Sequence, residues 1–405
     1  MINWLDCQHI VERLRPYIGF AYPLLRKISP STLVTPLPMV SFLMTNRCNA
    51  RCTFCMVGSY FQDEHKDITL DKFKVIAKNV QLEKYLSIVL SGAGEPLLNP
   101  DTLPILAFMN QKYPKVKKLL STNGIALTQE KADELSLLNV DMVTFSVNAG
   151  SPDTYYKTMQ VDCFDKVAGN IKYYNSITST KQTVTMSFVA HRKNIADLPA
   201  FVQLAKSLGI KGVGVRYAKF YPQVQRQKMA TCPENMLEDT DSLYYHQELS
   251  DYYFIRAKEL CRKYNIQFIH ACNPLFSEGF KKRICWLPFT DILVGLDGEV
   301  FPCCGGESIF KEKIESGEYD FGNLLKQRLQ DFHNNADWQA IRYSALHPDD
   351  VAVPECAVCS IALSWKGHTK KAHIMEWAGL ADKHIDYSKI KGGLNDNTKY
   401  FSKSI

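Results

Sequence analysis

The chain has 405 residues, 46% apolar and 22% charged, with a formal net charge of +6, which suits a globular protein with one large core and room for a smaller module. No apolar run approaches the ~18 residues of a membrane-spanning helix, and residues 16–25, with two prolines and with Asp6 and Glu12 ahead of them, do not read as a signal peptide. Thirteen cysteines without an export signal point to a reducing cytoplasm and metal ligation rather than disulfides, and no aromatic-striped basic face, finger or helix-turn-helix pattern suggests a nucleic-acid partner.

Residues 1–38 read as an N-terminal extension. From 39 to 222, short β-branched runs alternate with amphipathic stretches, and strands are expected at 40–44, 86–90, 116–120, 142–146, 183–189 and 212–216. Between them Leu70, Phe73, Ile76 and Ala77 share one helical face behind a Thr69 cap, and Leu198, Phe201, Val202, Ala205 and Leu208 share another, closed by Gly209. Six such repeats imply a parallel α/β architecture, and spacing alone does not separate an open doubly wound sheet from a barrel. Directly behind the first strand, Cys48, Cys52 and Cys55 stand in a C-x3-C-x2-C pattern. Three thiolates on one loop can hold three irons of a 4Fe-4S cluster and leave the fourth iron open to another molecule. Zinc, or three buried thiols, is the plainer alternative, although zinc sites usually join two separated pairs.

The second strand runs into Ser91-Gly92-Ala93-Gly94-Glu95-Pro96. A glycine-rich strand end lets a ligand approach the backbone, and Glu95 offers a carboxylate to a ligand ammonium; taken alone, it would be a tight turn. In this order, the cysteine loop and the Gly92-to-Pro96 strand end resemble the radical S-adenosylmethionine (radical SAM) superfamily. The resemblance implies an incomplete six-unit (βα) barrel, with a 4Fe-4S cluster and SAM at the C-terminal strand ends, the face on which barrels build active sites. It implies that the open iron chelates the amino and carboxylate groups of SAM, and that Gly92, Gly94 and Glu95 belong to the strand end that holds the amino group. Ser146 would touch the SAM carboxylate or ribose, and Lys157 stands near where relatives place an Arg. Phe54 would pack on the cluster or on adenine, a core aromatic being the alternative. Further polar groups end the other strands: Ser121 and Asn123 the third, Asn148 the fourth, His191, Arg192 and Asn194 the fifth, Arg216 and Tyr217 the sixth. For each of them a turn or cap role stands beside ligand contact.

Residues 223–282 read as a polar connector that includes a helix at about 249–264. Beyond it Cys285 leads to Asp297-Gly298, a hairpin signal between two apolar runs, then to Cys303-Cys304 and, later, to Cys356 and Cys359. The hairpin would return Cys303 or Cys304 toward Cys285. Neighbours on a strand face opposite ways, so one of the two is expected to be a ligand. Four thiolates from three segments close a cluster completely, with zinc as the alternative. This stretch, 283–365, resembles the SPASM/Twitch extensions of radical SAM enzymes, and the seventeen residues between Cys285 and Cys303 match the spacing of Twitch modules. Nothing cysteine-rich follows Cys359, so one auxiliary 4Fe-4S cluster on Cys285, Cys303, Cys356 and Cys359 is expected. From residue 366 onward eight Lys against four Asp or Glu make a basic tail, read as solvated rather than as a site for an acidic partner.

The resemblance implies a cytoplasmic radical SAM oxidoreductase. SAM homolysis would yield methionine and a 5′-deoxyadenosyl radical, which takes hydrogen from an unactivated C–H bond. A closed second cluster would then accept the substrate's electron, and a ferredoxin or flavodoxin would supply the first one. Peptide-modifying relatives usually carry a longer N-terminal recognition domain than the 38 residues found here, so a small polar substrate is expected: a sugar, cyclitol or amino acid. The alternatives are a peptide maturase, a redox-neutral epimerase with Cys272 or Cys232 as hydrogen donor, and a non-catalytic iron-sulfur protein.

Overall fold

The computed structural model describes residues 39–55, 65–218, 236–270, 275, 285, 287–303, 306–347 and 351–357. Its centre is one sheet of nine strands in the order β7-β6-β5-β4-β3-β2-β1-β8-β9. Strands β1 (Met39–Leu43), β2 (Ser87–Ser91), β3 (Lys117–Thr122), β4 (Met142–Ser146), β5 (Thr183–Ala190) and β6 (Gly212–Tyr217) lie within a residue or two of their expected places. All are parallel to their neighbours. In β1 and β5 both faces are buried, Val40 and Phe42 on one side of β1 with Ser41 and Leu43 on the other, and Met186 and Phe188 on one side of β5 with Ser187 on the other, as in parallel sheets covered by helices.

Helices fill the crossovers. Thr69 caps α1 (Leu70–Val80) by accepting the Lys72 N–H, and Phe73, Ile76 and Ala77 point inward. The chain continues through α2 (Thr102–Lys112), α3 (Gln129–Leu137), α4 (Pro152–Met159), α5 (Phe164–Ile177) and α6 (Leu198–Ser207). After α6, Gly209 takes φ +74°, the left-handed turn a helix end favours.

Two features depart from the expected layout. The connector holds, after α7 (Gln247–Tyr264), a seventh parallel strand, β7 (Gln267–His270), paired with β6. Four residues of mixed polarity were too short to show a strand period. Further on, α8 (Leu287–Thr290) leads into the expected hairpin, β8 (Asp291–Val294) and β9 (Val300–Phe301). Strand β8 also lies parallel to β1, with Val40 opposite Ile292 and Phe42 opposite Val294. The C-terminal module thus extends the core sheet. At the surface Lys66 and Lys72 each reach Asp297 of its turn at 3.0 Å.

Behind the hairpin come α9 (Gly306–Glu315), α10 (Leu329–Phe332), α11 (Ala336–Leu346) and α12 (Pro354–Ala357). Helix α11 carries the buried Trp338, whose indole N–H donates to the Phe321 carbonyl at 3.1 Å, with the buried Arg342 guanidinium 5.0 Å from its ring. Among the described residues no helix is long and apolar enough to cross a membrane.

Candidate active site

The cysteine loop is fixed along both flanks by backbone hydrogen bonds. On one side the Met44 N–H donates to the Ser91 carbonyl at 2.9 Å, and Asn46 N–H to that of Lys66 at 3.1 Å. On the other, Arg51 and Thr53 N–H donate to the Met159 and Thr158 carbonyls at the end of α4, at 3.0 and 2.9 Å. This leaves Cys48, Cys52 and Cys55 half-buried on a rigid frame. Burial pushes the Cys48 thiol up to about 11, the charge of Cys55 raising it further and the Ala50 N–H working against the rise. Cys52 is raised well above its usual value, again mainly by burial. Among the described residues no three His, Cys, Asp or Glu side chains converge closely enough for a single metal ion. The donor set suits a cluster better, since there each thiolate takes its own iron.

The glycine turn docks directly on this loop. Gly94 and Glu95 N–H donate to the Thr45 and Arg47 carbonyls, both at 2.7 Å. A Cβ on Gly94 would stand 2.0 Å from the Arg47 carbonyl oxygen, and one on Gly92 would stand 1.7 Å from that of Gly94. Both glycines are therefore needed for the backbone contact itself.

Glu95 is 2% exposed. Its Oε1 accepts from Thr122 Oγ1 at 2.6 Å and Leu97 N–H at 3.0 Å, and its Oε2 accepts from Asn123 N–H at 2.6 Å. A carboxylate has about four lone-pair sites, so Oε2 keeps one. Burial raises its pKa, and the hydrogen bonds from Asn123 and Thr122 oppose the rise. Among the described residues it makes no ion pair. An acceptor of this kind, beside three thiols, suits an ammonium group.

The next strand ends continue the rim. Asn123 donates through Nδ2 to Asn49 Oδ1 at 2.8 Å and lies 3.9 Å from Cys48 Sγ. Ser121, at the end of β3, is half-buried. The Ser146 hydroxyl accepts from Asn148 Nδ2 at 3.1 Å. Asn148, at φ +62°, also reaches Met159 Sδ at 3.2 Å, and that sulfur lies 3.5 Å from Cys52 Sγ. Met159 is a contact that sequence reasoning missed, because nothing in an isolated helix-terminal Met signals it. At the end of β5 the His191 ring is 1% exposed and lies 6.3 Å, centroid to centroid, from Phe54. Leaving a buried polar group unpaired costs about 1–3 kcal/mol, yet among the described residues neither ring nitrogen of His191 has a partner. Lys157 stands apart from this rim: it pairs with Asp153 at 2.7 Å on the exposed face of α4.

In the C-terminal module Cys285, Cys303 and Cys356 are half-buried. Cys303 sits in a bend after β9, so the opposite-face expectation for two strand neighbours does not apply to it. Glu355, next to Cys356, accepts from the Tyr319 hydroxyl at 3.0 Å and pairs with Lys313. Cys304, Cys359, Cys232 and Cys272 lie outside the described residues.

A family model of the Radical SAM superfamily matches residues 42–205. An iron-sulfur cluster-binding domain model, SPASM, matches 285–360. A probable GTP 3′,8-cyclase of Saccharolobus islandicus (strain Y.N.15.51 / Yellowstone #2) is 31% identical over 306 residues, 73% of this chain and 91% of the relative. This chain belongs to the radical SAM superfamily. The radical SAM enzyme is also 24% identical, over 78% of its length and 86% of the relative's, to a tungsten-containing aldehyde ferredoxin oxidoreductase cofactor-modifying protein of Pyrococcus furiosus. Its fold matches Streptococcus suis SuiB bound to precursor peptide SuiA, with a TM-score of 0.59 at 15% identity, covering 80% of this chain and 71% of that one. Membership brings a 4Fe-4S cluster and SAM to the barrel and further iron-sulfur to the SPASM module.

Proposed function

We propose that this enzyme binds its SAM cluster on Cys48, Cys52 and Cys55 and oxidises a small polar substrate by removing hydrogen from an unactivated C–H bond. The observation that carries the reading is the docking of the Gly92-to-Glu95 turn on the cysteine loop, which sets a buried carboxylate, without an ion pair among the described residues, beside three thiols. Cluster and SAM together supply the one-electron chemistry of hydrogen removal when bound. The chain's own residues bind and orient. Thr122, Asn123 and Leu97 hold the Glu95 carboxylate so that its free lone pair meets an ammonium. Gly92 and Gly94 admit the close backbone approach, Ser146 serves the ligand's carboxylate or ribose, and Phe54 and the strand-end side chains keep water from the reacting carbon.

Cys285, Cys303, Cys356 and Cys359 would hold one auxiliary cluster, and four thiolates leave it no position for substrate. Taking up the substrate's electron is the role that remains, which favours net oxidation. The relative at 31% identity bears a nucleotide in its printed name, which supports a substrate of small-molecule size. An electron donor of the ferredoxin or flavodoxin class completes the proposal.

The test starts with anaerobically reconstituted protein, dithionite and SAM, measuring methionine and 5′-deoxyadenosine. A panel of sugars, cyclitols, amino acids, GTP and peptides is then screened for stimulated cleavage. One SAM should be consumed per product, with no solvent deuterium at the attacked carbon in D2O. Replacing Cys356 and Cys359 should abolish product while uncoupled cleavage survives. Stereospecific deuterium in a product of unchanged formula, lost on replacing Cys272 or Cys232, would instead establish an epimerase. Stimulation by peptides alone would establish a maturase.

A further inference from the structure

His191 combines properties that a purely structural histidine lacks. It follows Ala190, the last residue of β5, on the rim that carries Glu95, Asn123 and Ser146. Its main chain is fully used: its N–H donates to Asn194 Oδ1 at 2.9 Å, and its carbonyl accepts from the Asn194 and Ile195 N–H groups. Asn194 Nδ2 in turn donates to the Asn148 carbonyl at 3.1 Å, which ties this corner to the end of β4. The ring, by contrast, is 1% exposed and has both nitrogens unpaired among the described residues. Beside it lies Phe54, the aromatic between Cys52 and Cys55, with ring planes inclined at 44°.

Segment 236–246 frames the corner from outside. Leu237 N–H donates to the Thr53 carbonyl at 3.0 Å, and Asp241 pairs with Arg192 at 3.1 Å and Lys193 at 2.9 Å. The neighbouring cations therefore already have a carboxylate of their own, and the imidazole is left for something else. Burial lowers its pKa to about 3, so it is neutral near pH 7, with one donor and one acceptor nitrogen.

We propose that His191 is a hydrogen-bonding ligand of the purine of SAM, held against Phe54 at the opposite end of the pocket from Glu95. The inference rests on the SAM reading above and adds to it a residue that reads the nucleobase. Distance along the rim agrees with it. From β2, which ends toward Glu95, to β5 there are three strand intervals, roughly 14 Å at the usual interstrand spacing, with Ser146 on β4 between them. That span suits an amino acid joined through sulfur to a nucleoside, its ammonium at one end and its base at the other. The edge of adenine presents an amino donor and a ring acceptor, and one nitrogen of a neutral imidazole can pair with either of them.

The experiment measures equilibrium binding of SAM, 5′-deoxyadenosine and methionine to the anaerobically reconstituted protein, with iron content recorded for every variant. His191→Phe and His191→Met both remove the two nitrogens, so a single variant that fails to hold its iron does not decide the outcome. Each should weaken SAM and 5′-deoxyadenosine about tenfold while leaving methionine unchanged, and His191→Gln should restore most of the loss. Glu95→Gln should show the reverse pattern, weakening SAM and methionine but not the nucleoside. Apolar variants that retain iron and bind 5′-deoxyadenosine like wild type would overturn the inference while the SAM reading stood. So would an equal loss for methionine, which marks general loosening. Wild-type protein that carries its iron yet binds no SAM would overturn the SAM reading, and this inference with it.

Discussion

Glu95 shows why the choice of substitution decides what an experiment at a buried site reports. Its two oxygens take three protein hydrogen bonds, so Glu95→Ala removes a ligand contact and also leaves three buried donors without an acceptor. Each orphaned donor costs about 1–3 kcal/mol, and the Ala variant should melt well below wild type. Glu95→Gln keeps the shape and one acceptor oxygen for Thr122 and Leu97, removes the charge, and sets its NH2 against one donor, the Asn123 N–H, where Ala orphans three. It should fold and retain iron, yet bind SAM at least about tenfold more weakly, because a charge-assisted contact to the ammonium is lost. Thermal melts and SAM binding on the two variants check the pair; unchanged SAM affinity in the Gln variant would refute the assigned role. The sequence showed a carboxylate behind two glycines, but not that Thr122 and Asn123 on the next strand orient it.

At the scale of elements, the junction between β1 and β8 carries a buried acid. Asp291, the first residue of β8, is 4% exposed, and the Ser41 hydroxyl of β1 lies 3.1 and 3.0 Å from its two oxygens. Burial pushes its pKa up to about 7, the Ser41 hydroxyl and Ile292 N–H pulling the other way. A carboxyl raised in the folded state contributes stability that is present below the unfolded value of about 3.9 and is lost as pH rises through 7. Asp291→Asn, which does not ionise, should therefore be more stable than wild type at pH 8, by roughly 1–4 kcal/mol. The advantage should shrink toward pH 5. Melting curves at the two pH values test this, and a variant less stable than wild type at pH 8 would contradict it. The hairpin itself was legible from Asp297-Gly298. That its first strand docks parallel to β1 was not, because pairing across some 250 residues leaves no local pattern.

For the whole molecule, two cysteine sets far apart in sequence predict two separable metal contents. Anaerobically reconstituted protein should hold about eight iron and eight sulfide, and replacing Cys48, Cys52 and Cys55 together with Ala should leave about four. Iron, sulfide and zinc analysis checks this. Zinc with only four iron in the unmodified protein would rule out the auxiliary cluster. The ion pairs of Lys66 and Lys72 with Asp297 are exposed and add little stability. The shared sheet, with buried β8 side chains against β1, is what sets the two modules in register.

Local chemistry wrote much of this protein into its sequence. Cysteine spacing, the glycine-rich strand end, the Thr69 cap and the alternation of β-branched runs with amphipathic helices each depend on residues a few positions apart, and such patterns survive in a linear reading. They specified the parallel α/β core and most strand positions. Tertiary structure decided what depends on distant segments meeting. Strand β7 exists because β6 offers it an edge, although its four residues carry little strand signal of their own. The Thr122 and Asn123 donors reach Glu95 only because β3 lies beside β2. The ring of His191 meets Phe54 because the C-terminal ends of parallel strands gather on one rim, where side chains far apart in sequence share one buried environment.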